Sequence, residues 1–361
     1  MDIVQKDYGY MKTVRLSIIG FGTVGQGLAE LLARKETLLK RDYGLDVRLV
    51  SVANARHGFI YRDEGLDIPT LLELVANRRP LAEYAAAFHW NNALQGLQVT
   101  GGDVLAEATG TNLRDAEPGI SHIRAALSEG MHVITANKGP AALHARELFA
   151  LAQEHGVQLR LESTVMAGTP VISTLLTGLA GAQVQAIRGI LNGTTNYILS
   201  AMAAGREYAD VLAEAQALGY AEADPTADVE GYDAVAKTLI LAALAFTRSL
   251  RPEQVTRQGI TALTKEQMQQ AREQGKRIKL VASLRLLSEP GASSQEASLE
   301  ARVEPTELPE SDPLARVDGV LNAISIQTDT LPEATIIGPG AGRIQTGQGL
   351  LADLIAVAGT M

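Results

Sequence analysis

A chain of 361 residues that is 46% hydrophobic and 20% charged holds enough apolar material for about two domains, at roughly 150 residues each. Its 32 Lys and Arg against 41 Asp and Glu leave a net charge of -9, which argues against a nucleic-acid surface or an anionic membrane as main partner. Cysteine is absent, which excludes disulfide scaffolds, Cys-type zinc sites and thiolate nucleophiles and fits a cytoplasmic setting.

Residues 1–12 read as a polar tail without the basic-then-apolar layout of a secretory signal. Val14–Ile19 then forms a short apolar strand, followed by Gly20-Phe-Gly-Thr-Val-Gly25 and a helix with Leu28, Leu31 and Leu32 on one face. Further strands are expected at Val47–Ala53, Val104–Ala108, Val133–Thr135 and Gln158–Glu162, with helices at Glu117–Glu129 and Ala141–Glu154. That alternation is the signature of a Rossmann-type parallel α/β sheet. Ser163–Ile187 carries no charge, but Gly168, Pro170, Gly178 and Gly181 interrupt it, so it reads as buried chain and not as a membrane span.

The pattern then changes. Strands at Val184–Ile190, Lys279–Leu287, Ser298–Val303 and Val320–Thr328, a polar hairpin turn at Glu289–Glu296, and helices at Thr195–Ala204 and Asp233–Arg248 predict an α+β domain with an antiparallel sheet. Thr335–Ile337, a Gly-Pro-Gly-Ala-Gly loop and a helix at Leu350–Ala358 read as a unit that returns to the first domain. The expected division is a tail (1–12), a nucleotide-binding domain (13–163), a substrate-binding domain (164–330) and a return segment (331–361).

Gly20-x-Gly22-x-x-Gly25 sits between a strand and a helix, the context a dinucleotide site requires. Gly20 permits the tight turn, Gly22 lets a pyrophosphate approach the backbone, and Gly25 lets helix and strand pack closely. Phe21, Thr23 and Val24 complete that loop. The second strand ends on Asn54 and Arg56 instead of the carboxylate that would grip a ribose 2′-hydroxyl, which favours NADP, with NAD as the other possibility. No Cys, scattered His and a misplaced Tyr8-x-x-x-Lys12 leave neither a zinc alcohol dehydrogenase, a short-chain reductase nor an acylating aldehyde dehydrogenase. Direct hydride exchange between alcohol and carbonyl remains, with Lys, Tyr or carboxylates moving the proton.

Five carboxylates (Glu222, Asp224, Asp228, Glu230, Asp233) precede Lys237 within Gly219–Lys237. Asp233 and Lys237 are four apart on a helix otherwise made of Val, Leu, Ile and Ala, hence on one face. Two rivals share these features: another NADP-dependent oxidoreductase of a small amino or hydroxy acid, and a redox sensor that holds the cofactor without turnover.

Over nearly its whole length the chain resembles homoserine dehydrogenase. The resemblance rests on Gly20–Gly25, Thr135-Ala-Asn-Lys-Gly-Pro140, Leu191-Asn-Gly-Thr-Thr-Asn-Tyr-Ile198, the Gly219–Lys237 block and Gly338-Pro-Gly-Ala-Gly342. It implies reversible oxidation of L-homoserine to L-aspartate 4-semialdehyde, within threonine, methionine and isoleucine synthesis, by a homodimer joined through the second domain. It also implies Lys237 as proton-transfer residue and Lys138 near the nicotinamide and the reacting oxygen. Glu222, Asp228, Asp233, Thr194 and Tyr220 become substrate contacts, and Thr109, Gly193 and Gly340 cofactor contacts. A monovalent cation, Na+ or K+, would take oxygens from Glu162 and the carbonyls of Val165, Ala167 and Thr169. Met166 and Thr169 depart from the family's usual residues in that loop. The chain is expected to be the short form, lacking a C-terminal amino-acid-sensing domain and an aspartokinase domain.

Overall fold

The computed structural model describes residues 11–54, 58–85, 88–90, 92–287 and 297–361. Arg56 and the turn at 289–296 lie outside these. Two compact units emerge, Met1–Gly168 with Gly342–Met361, and Thr169–Ala341.

The first unit holds a seven-stranded sheet. Its strands are β1 (Lys12–Ile19), β2 (Leu45–Asn54), β3 (Gly58–Tyr61), β4 (Phe88–Trp90), β5 (Val104–Glu107), β6 (His132–Thr135) and β7 (Leu159–Arg160), in the order β4-β3-β2-β1-β5-β6-β7. Strands β2, β1, β5, β6 and β7 run parallel, as the alternation predicts. The antiparallel edge β3–β4 is additional, too short and irregular to stand out in the sequence. Helices α1 (Thr23–Tyr43), α2 (Ile68–Ala76), α3 (Ala93–Thr100), α4 (Gly119–Ser128) and α5 (Lys138–Glu154) accompany the sheet. Val14, Leu16 and Ile18 of β1 are fully buried and join Leu28, Leu31 and Leu32 of α1 in one core, so the apolar run and the helical stripe find each other. The segment expected as a strand through Glu162 pairs only at Leu159–Arg160, because Glu162–Thr164 coils into a 3₁₀ turn.

In the second unit β8 (Val184–Ile190) is followed by α6 (Gly193–Ala203), α7 (Tyr208–Ala217), α8 (Thr226–Val229) and α9 (Tyr232–Ala245). Then come β9 (Thr256–Arg257), α10 (Lys265–Glu273), β10 (Lys276–Leu287), β11 (Ser298–Pro309), β12 (Leu321–Thr328) and β13 (Ala334–Pro339), in a six-stranded sheet of order β13-β12-β8-β10-β11-β9. All pairings are antiparallel except β11–β9. The strand expected in the return segment 331–361 pairs instead with β12, since Leu321 to Ile326 match Pro339 to Ala334 in register. The chain therefore rejoins the first unit at Gly342, not at 331, through α11 (Arg343–Ala358).

Two contacts fix the elements that matter below. Lys279 of β10 is buried and donates to Asn196 Oδ1 (3.0 Å) on α6, Val317 O (2.6 Å) and Asp318 Oδ1 (3.0 Å), while Asn196 Nδ2 donates to Val317 O and Leu321 O. Burial pushes the Lys279 amine down, and Asp318 works against that. The pairing pins α6 to the sheet. In the first unit α11 crosses α1 where a Cβ on Gly27 would stand 2.2 Å from Arg343 O, and one on Gly347 2.7 Å from Gly27 C, so both must be glycine. No helix among the described residues is long and apolar enough to cross a membrane.

Asp353 of α11 accepts the Glu162 N–H at 2.8 Å and is 6% exposed. Burial pushes its carboxyl up to about 7, helped by the nearby Glu162 charge. The native state therefore holds a proton that the unfolded chain, with Asp near 3.9, has released between about pH 4 and 7. That contribution to stability is complete below about pH 4 and lost as pH rises through about 7. Asp353→Asn keeps the acceptor without the charge, so thermal unfolding should show a higher Tm than the wild type at pH 8 and little difference at pH 4. A lower Tm at pH 8 would contradict this.

Candidate active site

In the first unit the parallel strands deliver their carboxyl ends to one edge, where ligands of such sheets bind. After β1, Gly20 takes φ 98°, and a Cβ there would stand 2.3 Å from Ala108 C and 2.5 Å from Thr109 N. Only glycine lets the turn pass so close to the end of β5. A Cβ on Gly25 would meet Gly20 O at 2.4 Å, whereas one on Gly22 would meet nothing within 4 Å. Gly22 is also the N-cap of α1, which has no side-chain cap and no acid in its first turn. Helices α2, α3, α5, α6 and α10 are capped by Asp67, Asn92, Asn137, Asn192 and Thr264 respectively, whereas α4, α7, α8, α9 and α11, like α1, have no side-chain cap. An uncapped helix start, carrying Thr23 and Val24 behind open glycine, fits the diphosphate of a dinucleotide. Phe21 is buried, and its carbonyl accepts from Asn54 Nδ2 (3.0 Å) and Gln26 Nε2 (3.1 Å), so Asn54 braces the loop from the end of β2. Thr109 follows β5, and Lys138, half-buried, opens α5 after β6.

The second unit gathers its polar residues around the start of α6. Asn192 caps α6 by accepting the Thr195 N–H through Oδ1 at 2.9 Å. Its Nδ2 donates to Asp228 Oδ1 (2.7 Å) and Asp233 Oδ2 (3.0 Å). Thr194 Oγ1 lies 2.9 Å from Asp228 Oδ2 and 2.7 Å from Tyr220 O. Lys237 is 5% exposed, and Nζ donates to Asp233 Oδ2 at 2.8 Å and Leu191 O at 2.5 Å. The i, i+4 pair expected on one face of α9 is thus made, in a nearly dry setting. Burial pushes the Asp228 carboxyl up, the Asp233 charge adds to that, and Asn192, Thr194 and Lys237 oppose it.

Five sequence-derived residues therefore meet in one network: Thr194, Asp228, Asp233, Lys237 and the Tyr220 carbonyl. Asn192 was missed as a site residue, although Asn before a helix start is a capping signal in its own right. Tyr220 is 43% exposed, and its ring stacks edge-on with Tyr197, centroids 5.2 Å apart. Glu222 is exposed beyond α7, where Gln216 Nε2 donates to its backbone carbonyl, so its carboxylate is not part of the buried network. Gly193 is the first residue of α6 and Gly340 lies over Asn322 of β12, where a Cβ would stand 2.1 Å from Nδ2.

Around the 3₁₀ turn, Glu162 is 4% exposed, Val165 and Ala167 are buried, and Met166 and Ala167 both take left-handed φ, 59° and 54°. Thr169 opens the second unit and donates through Oγ1 to Pro339 O. Among the described residues no cluster of three or more His, Cys, Asp or Glu could hold a metal, so any cation here would rely on carbonyl oxygens.

Comparison with known proteins gives two family matches, homoserine dehydrogenase over residues 170–355 and the homoserine dehydrogenase NAD-binding domain over residues 20–162. The chain is 40% identical over 351 residues to an NAD(+)-dependent homoserine dehydrogenase of Pseudomonas canavaninivorans, covering 96% of this chain and 97% of that one. It is 35% identical to a homoserine dehydrogenase of Methanocaldococcus jannaschii, over 94% of this chain and 97% of that one. Among solved structures, a putative homoserine dehydrogenase of Archaeoglobus fulgidus superposes with a TM-score of 0.83 at 35% identity, over 96% and 99% of the two chains. A hyperthermophilic archaeal homoserine dehydrogenase in complex with NADPH gives 0.80 at 31%, over 97% and 99%.

Proposed function

The chain belongs to the homoserine dehydrogenase family, and from that premise we propose how its own residues carry out the oxidation of L-homoserine to L-aspartate 4-semialdehyde. The protein is an oxidoreductase with a nicotinamide-binding Rossmann unit. When bound, the nicotinamide cofactor accepts the hydride lost from the carbinol carbon. The hydroxyl proton must leave as well, and that task falls to a side chain.

One observation supports Lys237 for it. Its Nζ is buried between two acceptors, Asp233 Oδ2 and Leu191 O. A neutral amine has two N–H donors and one lone pair. With both donors directed at those acceptors, the lone pair takes the third direction and can receive a hydroxyl proton. In the reverse reaction the resulting ammonium returns it. Asp233 and Asp228 offer negative charge to the substrate ammonium, with Thr194, the Tyr220 backbone and Glu222 around them. Lys138 at the start of α5 stands for the cofactor side, with Gly20–Gly25, Asn54, Thr109, Gly193 and Gly340.

For the phosphate end of the cofactor, β2 closes on Asn54 instead of a carboxylate, which supports NADP, with NAD as the alternative. The printed name of the Pseudomonas relative weighs on the NAD side. Arg56 is the proposed partner of the 2′-phosphate. A Na+ or K+ ion is proposed on Glu162 and the carbonyls of Val165, Ala167 and Thr169, supported by the buried Glu162 and the two consecutive left-handed residues beside it. The second unit leaves Leu176, Leu331 and Ile337 at 50%, 44% and 52% exposure, which supports a homodimer through this unit. A cytoplasmic location is proposed on the cysteine-free composition.

Three outcomes follow. Lys237→Ala should lose about 10²–10⁴-fold in kcat for homoserine while its dissociation constant for the cofactor stays within about threefold. Turnover near the wild-type level would remove Lys237 from the reaction. Asp233→Asn keeps the shape and removes the charge, and the loss of a poorly solvated ion contact, about 2 kcal/mol or more, should raise KM for homoserine by roughly 30-fold. If kcat falls instead, with a displaced pH optimum and unchanged KM, Asp233 serves only as the ion partner of the lysine. Light scattering at micromolar concentration should give twice the chain mass, and a stable monomer would dispose of the dimer.

A further inference from the structure

At the carboxyl end of β5 lies a buried acid that the proposed reaction does not use. Glu107 is fully buried. Its Oε1 accepts the Thr109 hydroxyl and, at 3.1 Å, the Thr109 N–H, and its Oε2 lies 3.3 Å from Thr135 Oγ1. His122 Nδ1 lies 3.7 Å from Oε1, beyond hydrogen-bond reach, and that nitrogen has no hydrogen-bond partner among the described residues. A carboxylate this deep is retained at a cost, offset only by the donors aimed at it.

The network continues outward. Asn137 Nδ2 donates to Thr109 Oγ1 at 3.1 Å, its N–H donates to Thr135 Oγ1 at 3.0 Å, and its Oδ1 accepts the Gly139 N–H at 3.1 Å as the cap of α5, the helix that Lys138 opens. A hydroxyl has one proton and two lone pairs. The proton goes to Glu107 and one lone pair takes the Asn137 amide. Thr109 is half-buried, so it presents a single lone pair and no donor to whatever lies outside. Without Glu107 the same hydroxyl could turn and donate.

We propose that Glu107 is a positioning residue that locks the Thr109 hydroxyl as an acceptor for the carboxamide N–H of the nicotinamide cofactor. The proposal rests on the reading that Thr109 stands at the nicotinamide end. It makes Glu107 a determinant of how the nicotinamide ring is oriented, since a carboxamide turned over would offer its carbonyl oxygen to a group that can only accept.

The test compares two ligands that differ only at that group: the reduced natural cofactor, and its 3-acetylpyridine analogue, in which a methyl replaces the carboxamide nitrogen. Dissociation constants are measured by calorimetric titration without homoserine, so the result does not depend on turnover. The wild type should bind the analogue about tenfold more weakly, the value of one hydrogen bond to a well-placed acceptor. Thr109→Val should abolish the difference and Thr109→Ser should keep it. Glu107→Gln should reduce it to about twofold or less. Glu107→Asp, which keeps the charge and withdraws it by one methylene, should do the same and stands in if the Gln variant does not fold. A purely structural Glu107 would weaken both ligands alike and leave their ratio intact, and that outcome overturns the proposal. So does a wild type that does not discriminate. A wild type that discriminates but never oxidises homoserine would leave Glu107 standing and overturn the proposed reaction instead.

Discussion

Two carboxylates and the Lys237 side chain share a nearly dry space at the start of α6, and the second unit depends on how the repulsion between the acids is settled. Left to themselves Asp228 and Asp233 would repel, with burial adding to the penalty. Asn192 settles it without adding charge. One end of its amide caps α6, and the other donates to both carboxylates at once. Capping therefore fixes the site: α6 cannot begin anywhere else without releasing the acids. The buried Lys279–Asn196 contact then fastens α6 to the sheet, so the geometry at Lys237 inherits the rigidity of β10.

The first unit solves a related problem by the same means. Its acid is Glu107, whose carboxyl takes the Thr109 hydroxyl and N–H while Thr135 donates to its backbone carbonyl, and Asn137 again links the network to a helix start through its cap. Each unit thus sets an asparagine cap beside a buried acid, and in each the acid orients a neighbour. Helix α1 begins without a side-chain cap, as α4, α7, α8, α9 and α11 also do, and what sets it apart is its place behind the glycine turn at the carboxyl end of β1. There its open N–H groups are a place for an external anion.

Much of this was legible in the sequence, for reasons that can be traced. The apolar run Val14–Ile19 and the leucine stripe on α1 obey periods that tertiary structure did not override, and two of the three motif glycines, Gly20 and Gly25, lie where only glycine fits. Asp233 and Lys237 were readable because four residues on a helix share a face. What escaped depends on contacts distant in sequence. Thr335–Ile337 looked like part of the return segment, but strand pairing is decided by the register with β12, which spacing does not encode. Gln158–Glu162 read as a full strand because its apolar alternation continues into residues that the 3₁₀ turn claims. Glu107 hid at the end of Val104-Leu-Ala-Glu107, where one acid in an apolar strand resembles an ordinary strand end. Glu222 looked equivalent to its acidic neighbours, yet the stretch after α7 leaves it in solvent while Asp228 turns inward.

The central claim is that the homoserine hydroxyl gives its proton to the neutral amine of Lys237. Chemical rescue tests it most directly. Lys237→Ala should recover homoserine-dependent cofactor reduction when small primary amines are supplied, in proportion to amine concentration, and with rates that increase with amine basicity across a series of similar size. A variant that binds cofactor normally but shows no amine dependence, or the same rate with every amine, would contradict the account.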